Sequence, residues 1–197
     1  MATTRAVATR GPMDTDLIER ARRGDESAFA SLALEMHDRL HTVAHGILRD
    51  PDHAQDALQQ ALVATWRELP RLRDPQRFQA WTFRILVNIC RTEARRARRW
   101  VPTVLPEDVS EPRAARDLEA VADRDQLERA FRRLSVDHRA VVVLHHYLGL
   151  RPPEIAEALG IPVGTVGSRL HQALRSLRAA IEADQRAPQA VQPREVA

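Results

Sequence analysis

The stretch EIAEALGIPVGTVGSRLHQAL, Glu154 to Leu174, decides how the C-terminal part of this chain folds. Before the break, Ile155, Ala156 and Leu159 share one helical face. Gly160 is suited to the left-handed conformation that ends a helix, and Pro162 fixes the backbone before a second helix, expected from about Val163 to Ile181. The spacing of Ala156, Gly160 and Val166 suits two helices that cross steeply. In the second helix Val166, Leu170, Leu174, Leu177 and Ile181 are the expected buried stripe, while Thr165, Ser168, Arg169 and Gln172 recur at i, i+3, i+4 and i+7 on another face. Hydroxyls near a helix N-terminus donate to phosphate, and a guanidinium forks onto guanine, so this face fits a reader of the DNA major groove. An ordinary helical hairpin with a solvated polar face fits the same pattern.

Composition extends the helical reading to the whole chain. Ala, Leu, Arg and Glu abound and strand-forming runs are scarce, which predicts an all-α fold. A length of 197 residues, with 44% hydrophobic residues, accommodates one domain or two small ones. Residues 1–13 are expected to be a disordered leader. From Asp14, apolar residues recur at helical spacing: Leu17, Ile18 and Ala21 in a short helix ended by Gly24, then Phe29, Leu32, Met36, Leu40, Val43 and Ile47 after an Asp25 cap. Pro51 opens a third helix whose inner stripe is Ala54, Ala57, Leu58, Ala61, Leu62, Thr65 and Trp66. LPRLRDPQR is a Pro-punctuated loop, and a long helix runs from about Phe78 to Arg99. Residues 14–100 thus make one four-helix domain. Residues 101–128 hold three prolines and eight acidic residues against three arginines and form an acidic linker, with a helix starting near Arg113. Residues 129–183 form a second helical domain, and 184–197 a loose tail.

All 30 Lys+Arg residues are Arg, in a chain of net charge +3. Guanidinium groups favour phosphate and base edges, although a coding bias towards Arg explains the number as well. Their position says more: Arg91, Arg95, Arg96, Arg98 and Arg99 crowd one helix end beside a single acid, Glu93. Phe78, Trp81 and Phe83 lie on the same helix, and aromatics next to arginines either stack unpaired bases or fill a core. Cys90, the one cysteine, excludes an internal disulfide and a four-Cys zinc site. HDRLH, His37 to His41, with His45, resembles a zinc-protease pair, but its acid is Asp38 and no third ligand follows, so neither metal nor cofactor is expected. There is no nucleophile-base arrangement or phosphate loop, so the chain is not expected to be an enzyme. With no apolar run of membrane length, no membrane contact is expected and the predicted location is cytoplasmic.

Five pieces, in order, resemble the extracytoplasmic-function group of bacterial RNA polymerase sigma factors: LIERARRGDESAF, DPDHAQDALQQALVATW, FQAWTFRILVNICR, LSVDHRAVVVLHHYLGL and EIAEALGIPVGTVGSRLHQALRSLR. The resemblance spans Asp14 to Ala183 and makes residues 14–100 a region two and residues 129–183 a region four. It implies a sigma factor that binds core RNA polymerase and directs promoter-specific initiation. Asp56, Gln59 and Gln60 would meet the clamp helices of the largest subunit. The loop bearing Arg71, Arg73 and Arg77, with Asn88, Arg91, Arg95 and Arg96, would handle the melted element near minus ten. Thr165, Ser168, Arg169 and Gln172 would read the duplex near minus thirty-five, while region four also meets the polymerase flap. The acidic linker would thread towards the RNA exit channel. Family members are commonly held by an anti-sigma protein. In this sequence Gln60 replaces a usual Glu and Thr92 a frequent Asp, while Gly167, Gln172 and Leu174 replace basic residues. A helix-turn-helix regulator that acts without polymerase is the alternative.

Overall fold

Aspartates start the first three helices. In the computed structural model, which describes residues 13–100 and 118–186 (side chains at 98–100, 118–124 and 185 apart), every regular element is helical. Asp14 accepts from the Asp16 N–H at 2.9 Å to begin α1 (Thr15–Arg22). Asp25 does the same for α2 (Glu26–Leu48), from Ala28 at 3.0 Å, and Asp50 for α3 (Pro51–Glu68), from His53 at 2.8 Å. Each carboxylate satisfies an amide that the first turn leaves without an intrahelical acceptor. The Pro-punctuated loop contains two 3-10 turns, Leu69–Arg71 and Pro75–Arg77, and leads into α4 (Phe78–Trp100).

Helices α2, α3 and α4 pack around one interior, with α1 against α2. Leu32, Leu40, Val43, Ile47, Leu58 and Leu86 are almost fully excluded from solvent. At about 1.5–3 kcal/mol per large apolar side chain, burial is the main stabilising contribution here. Phe78 and Phe83 belong to this core, which removes both from the candidates for base stacking. Thr82 also turns inward and donates its hydroxyl to the Phe78 carbonyl at 2.8 Å.

The second block comprises α5 (Leu118–Arg132), α6 (Val136–Val142), α7 (Pro152–Leu159) and α8 (Val163–Arg186). Ser135 caps α6, and the chain continues through a π-helical turn, Val143–Tyr147. The start of α7 lacks a short polar cap, and Glu154, at the third helical position, reaches back to accept the N–H of Arg151, the residue before the helix, at 2.7 Å. Gly160 ends α7 at φ +63°, in the left-handed region where a Cβ would be strained. The buried stripe of α8 differs from the expected one. Val166, Ala173, Leu177 and Ala180 face inward, while Leu174 is 38% exposed. The small Ala173 is thus fully buried and the larger Leu174 beside it is turned outward.

Helix α5 spans the expected linker boundary at 128, and residues 184–186 continue α8 rather than starting a tail. The leader up to residue 12, linker residues 101–117 and tail residues 187–197 lie outside the described residues, as do the side chains of Arg98 and Arg99.

The blocks pack against each other: α4 against α7 and α6, and α2 against α6 and the π-helical turn. The approach is tightest at Gly46, where a Cβ would lie 2.8 Å from Val143 Cγ2. A side chain at 46 would force the blocks apart, because the β-branched Val143 has little rotamer freedom to yield.

Candidate nucleic-acid interface

Two adjoining grooves share Trp81, a half-buried aromatic at the start of α4. One, about 490 Å³, runs between α3 and α4 and is lined by Gln60, Trp81, Arg84, Asn88, Thr92 and Arg96 among others. The second, about 430 Å³, lies beneath the loop and is lined by Leu72, Arg73, Asp74, Arg77, Trp81, Arg84 and Glu157. An indole face surrounded by amides, a hydroxyl and guanidinium groups provides both stacking and hydrogen bonds. The helical period places these groups together: positions 81, 84, 85, 88 and 92 follow one face of α4.

The sequence candidates divide by their surroundings. Asp56, Gln59 and Gln60 are exposed on the outer side of α3, where Gln60 donates weakly to Glu93 at 3.4 Å and Val63 adds an exposed apolar side chain. Arg71, Arg73 and Arg95 are exposed, and Arg96 pairs with Glu93 at 2.9 Å. Arg77 lies 3.3 Å from Asp74 and 3.2 Å from Glu157 of the second block. Arg91 is more engaged: it donates to Asn88 at 3.3 Å and to Asp137 at 2.7 Å, with a side chain only 17% exposed. The second oxygen of Asp137 lies 3.2 Å from Arg169. A cleft of about 510 Å³ between the blocks surrounds this trio and also includes Arg95.

On α8, Ser168 and Gln172 are exposed and Thr165 is half-buried. Arg169 stands on the flank beside α6, its side chain 24% exposed and its Nη1 enclosed without a hydrogen-bond partner. The face that points fully outward carries Ser168, His171, Gln172 and Arg175. Sequence reasoning missed His171 and Arg175. Placing Ala173 instead of Leu174 in the buried stripe would have rotated the outward face onto them. It also missed Asp137 and Glu157, whose role depends on the two blocks meeting.

The histidine row of α2 does not form a ligand cluster. His37, His41 and His45 stack at centroid separations of 6.3 and 6.4 Å, and among the described residues no group of three His, Cys, Asp or Glu side chains is placed to hold a metal ion. Burial first, then the neighbouring Arg49 and His41, push the His45 pKa down from its ordinary value. Among the described residues no helix is long and apolar enough to cross a membrane.

A helical block with a tryptophan-walled groove bearing arginines, followed by a helix-turn-helix, is the arrangement of a nucleic-acid-binding protein. Comparison with known proteins narrows that class. The sigma-70 region 2 family matches residues 32–100 and the sigma-70 region 4 family matches residues 124–177. The RNA polymerase sigma-E factor of Streptomyces antibioticus is 36% identical over 162 residues, covering 81% of this chain and 88% of that protein. The sigma-H factor of Pseudomonas aeruginosa is 30% identical, covering 86% and 94%. The ECF sigma factor SigM of Mycobacterium tuberculosis is 36% identical, covering 81% and 80%. Among solved structures, CnrH in complex with the cytosolic domain of CnrY matches with a TM-score of 0.62 at 30% identity, covering 87% of this chain and 98% of that one. The sigma factor RpoE of Bartonella quintana, in complex with the anti-sigma factor NepR, matches with a TM-score of 0.62 at 25% identity, covering 79% and 98%. The chain belongs to the sigma-70 family, in its extracytoplasmic-function group, and is a sigma factor that directs transcription initiation. A regulator acting without polymerase is thereby set aside.

Proposed function

We propose that the two blocks divide promoter recognition between them. The outer face of α3, with Asp56, Gln59, Gln60 and Val63, grips the clamp helices of core RNA polymerase. Arg71, Arg73, Arg77, Asn88, Arg91, Arg95 and Arg96 hold the separated strand of the downstream element while one of its bases stacks on Trp81. Thr165, Ser168, Arg169 and Gln172, joined by His171 and Arg175, read the upstream duplex. The protein performs no chemistry itself; polymerase does. An anti-sigma protein, such as those in the complexes of its structural relatives, is a further partner of this chain.

The observation that carries this reading is the position of Trp81, the shared wall of two grooves bearing amides and guanidinium groups. Extruding a base costs a few kcal/mol, which stacking and phosphate clamps must offset. Base–aromatic stacking is worth about 1–3 kcal/mol, so Trp81→Ala should reduce open-complex formation roughly ten- to hundredfold, and Trp81→Phe much less. Run-off transcription with purified core polymerase tests this. A template already unpaired at the downstream element should restore Trp81→Ala activity. Equal losses on the paired and unpaired templates would refute a role in holding an extruded base.

A further inference from the structure

The histidine row of α2 has no part in the proposed function, and its face is open. Leu34, one turn before Asp38, is 78% exposed, and the Asp38 side chain is fully exposed. His37 and His41, one helical turn apart, hold their rings parallel to within 3°, with centroids 6.3 Å apart. Asp38 accepts from the His37 Nδ1–H at 3.2 Å. An ionised carboxylate can only accept, so this contact places the ring proton on Nδ1 and leaves the Nε2 lone pair free. A carboxylate on the far nitrogen is the usual outer partner of a metal-bound imidazole, because it fixes the tautomer and raises the basicity of the donor nitrogen.

Among the eight histidines, this contact and a second imidazole one turn away coincide only at His37. His53 has its carboxylate, Asp50 at 3.2 Å, but Arg49 and Ala57 stand one turn to either side. His45 has a second ring, His41 at 6.4 Å, but it lies in the field of the cations Arg49 and Arg132, with Asp50 opposing them. A dication is repelled there and attracted beside Asp38. His145 and His146 are 4.8 Å apart, but sequence neighbours do not face one way on a helix, and these rings meet edge-on at 71°.

We propose that His37 and His41 form a two-donor chelate for a divalent transition-metal ion, with Asp38 as the positioning residue for His37. Metal–nitrogen bonds of about 2.0–2.1 Å require the two Nε2 atoms to converge to roughly 3 Å, so the rings swing together on binding. The His37 side chain, 47% exposed, has room to do so. Imidazole donors suit nickel, copper and zinc rather than magnesium or calcium. Among the described residues no third His, Cys, Asp or Glu is placed to complete the coordination sphere, so water or a donor from a bound partner fills the remaining positions.

Calorimetric titration of the full-length, tag-free chain with nickel chloride tests the site. One ion should bind per chain, and magnesium chloride should give no uptake. Losing an outer partner alone costs roughly 10–100-fold in metal affinity, so His37→Gln and His41→Gln, which remove donors, should each weaken nickel binding at least about tenfold. Asp38→Asn should weaken it severalfold and Asp38→Glu should recover the loss, whereas His45→Gln and His146→Gln should leave it unchanged. Nickel should also raise the urea midpoint of the parent but not of His41→Gln, because an ion held by the folded chain stabilises it. Without metal, the midpoints of the two donor variants should match the parent, so that a lost site is not a lost fold. Nickel binding that survives both His37→Gln and His41→Gln overturns the inference. So does binding lost instead in His45→Gln or His146→Gln, or a parent chain that takes up no nickel at millimolar concentration.

Discussion

Cys90 sits on the inner side of α4 with no exposed surface, two turns after the wall that carries Phe83. Burial raises its thiol pKa to about 12, so the reactive thiolate is scarce at ordinary pH. Alkylation at pH 8 should therefore run at least about a hundredfold slower than for a free cysteine, and denaturant should restore the normal rate. Because the thiol reacts only when its cover is lifted, its labelling rate reports opening of the structure around α4. Labelling of the native chain at the rate of free cysteine would show that this core is not formed. Asp137 is the counterpart at the surface. It is 40% exposed, yet its two oxygens serve Arg91 and Arg169, whose side chains are much less exposed. Its sequence neighbourhood shows only a charge in the first turn of a helix, favourable to the helix dipole.

At the scale of helices, the recognition helix carries an internal cost at Gly167. The residue is exposed in mid-helix, and a Cβ there would meet nothing within 4 Å. Gly167→Ala should therefore stabilise the chain by about 0.5–1 kcal/mol through lost unfolded-state entropy, read as a raised urea midpoint. An unchanged or lower midpoint would mean that the alanine meets a partner this arrangement does not contain. Helix boundaries were legible because they are local: Asp25 and Pro51 at starts and Gly160 at an end act within one turn of their own positions. The stripe of α8 was read one residue off. Neighbouring positions on a helix are 100° apart, and in a pattern read from sequence the hydropathy of Leu174 outweighs that of Ala173. That one position also displaced the outward face, which is why His171 and Arg175 escaped notice. On α4 the opposite held: helical spacing gathered Phe78, Trp81 and Phe83, but only packing separates Trp81, half-buried, from the two fully buried rings.

At the scale of the whole molecule, the junction joins residues remote in sequence, 46 positions apart for Arg91 and Asp137 and 79 for Arg49 and Glu128. No local pattern encodes such pairings, so the cores were foreseeable and their mutual packing was not. The junction also makes stability depend on pH. His45 faces Arg49, His41 and Arg132, with Asp50 as the opposing charge, and burial is the first cause of its lowered pKa. His146, on the π-helical turn, is lowered by burial and by His145. A histidine with a lowered folded pKa is neutral in the folded chain but takes up a proton when released. The unfolded chain therefore binds more protons as pH falls, and stability declines with it. The contribution is intact above the ordinary imidazole value of about 6.5 and is lost progressively below it. Asp25 and Glu154, whose carboxyls are held below their usual range by hydrogen bonds, lose their contributions only at lower pH. Urea midpoints measured between pH 7.5 and 5.5 thus isolate the histidines. The parent midpoint should fall with pH across that window, and His45→Gln should fall less steeply, with His146 supplying what slope remains. A midpoint that rises on acidification would mean these imidazoles gain partners on protonation, and the closed junction described here could not be their environment.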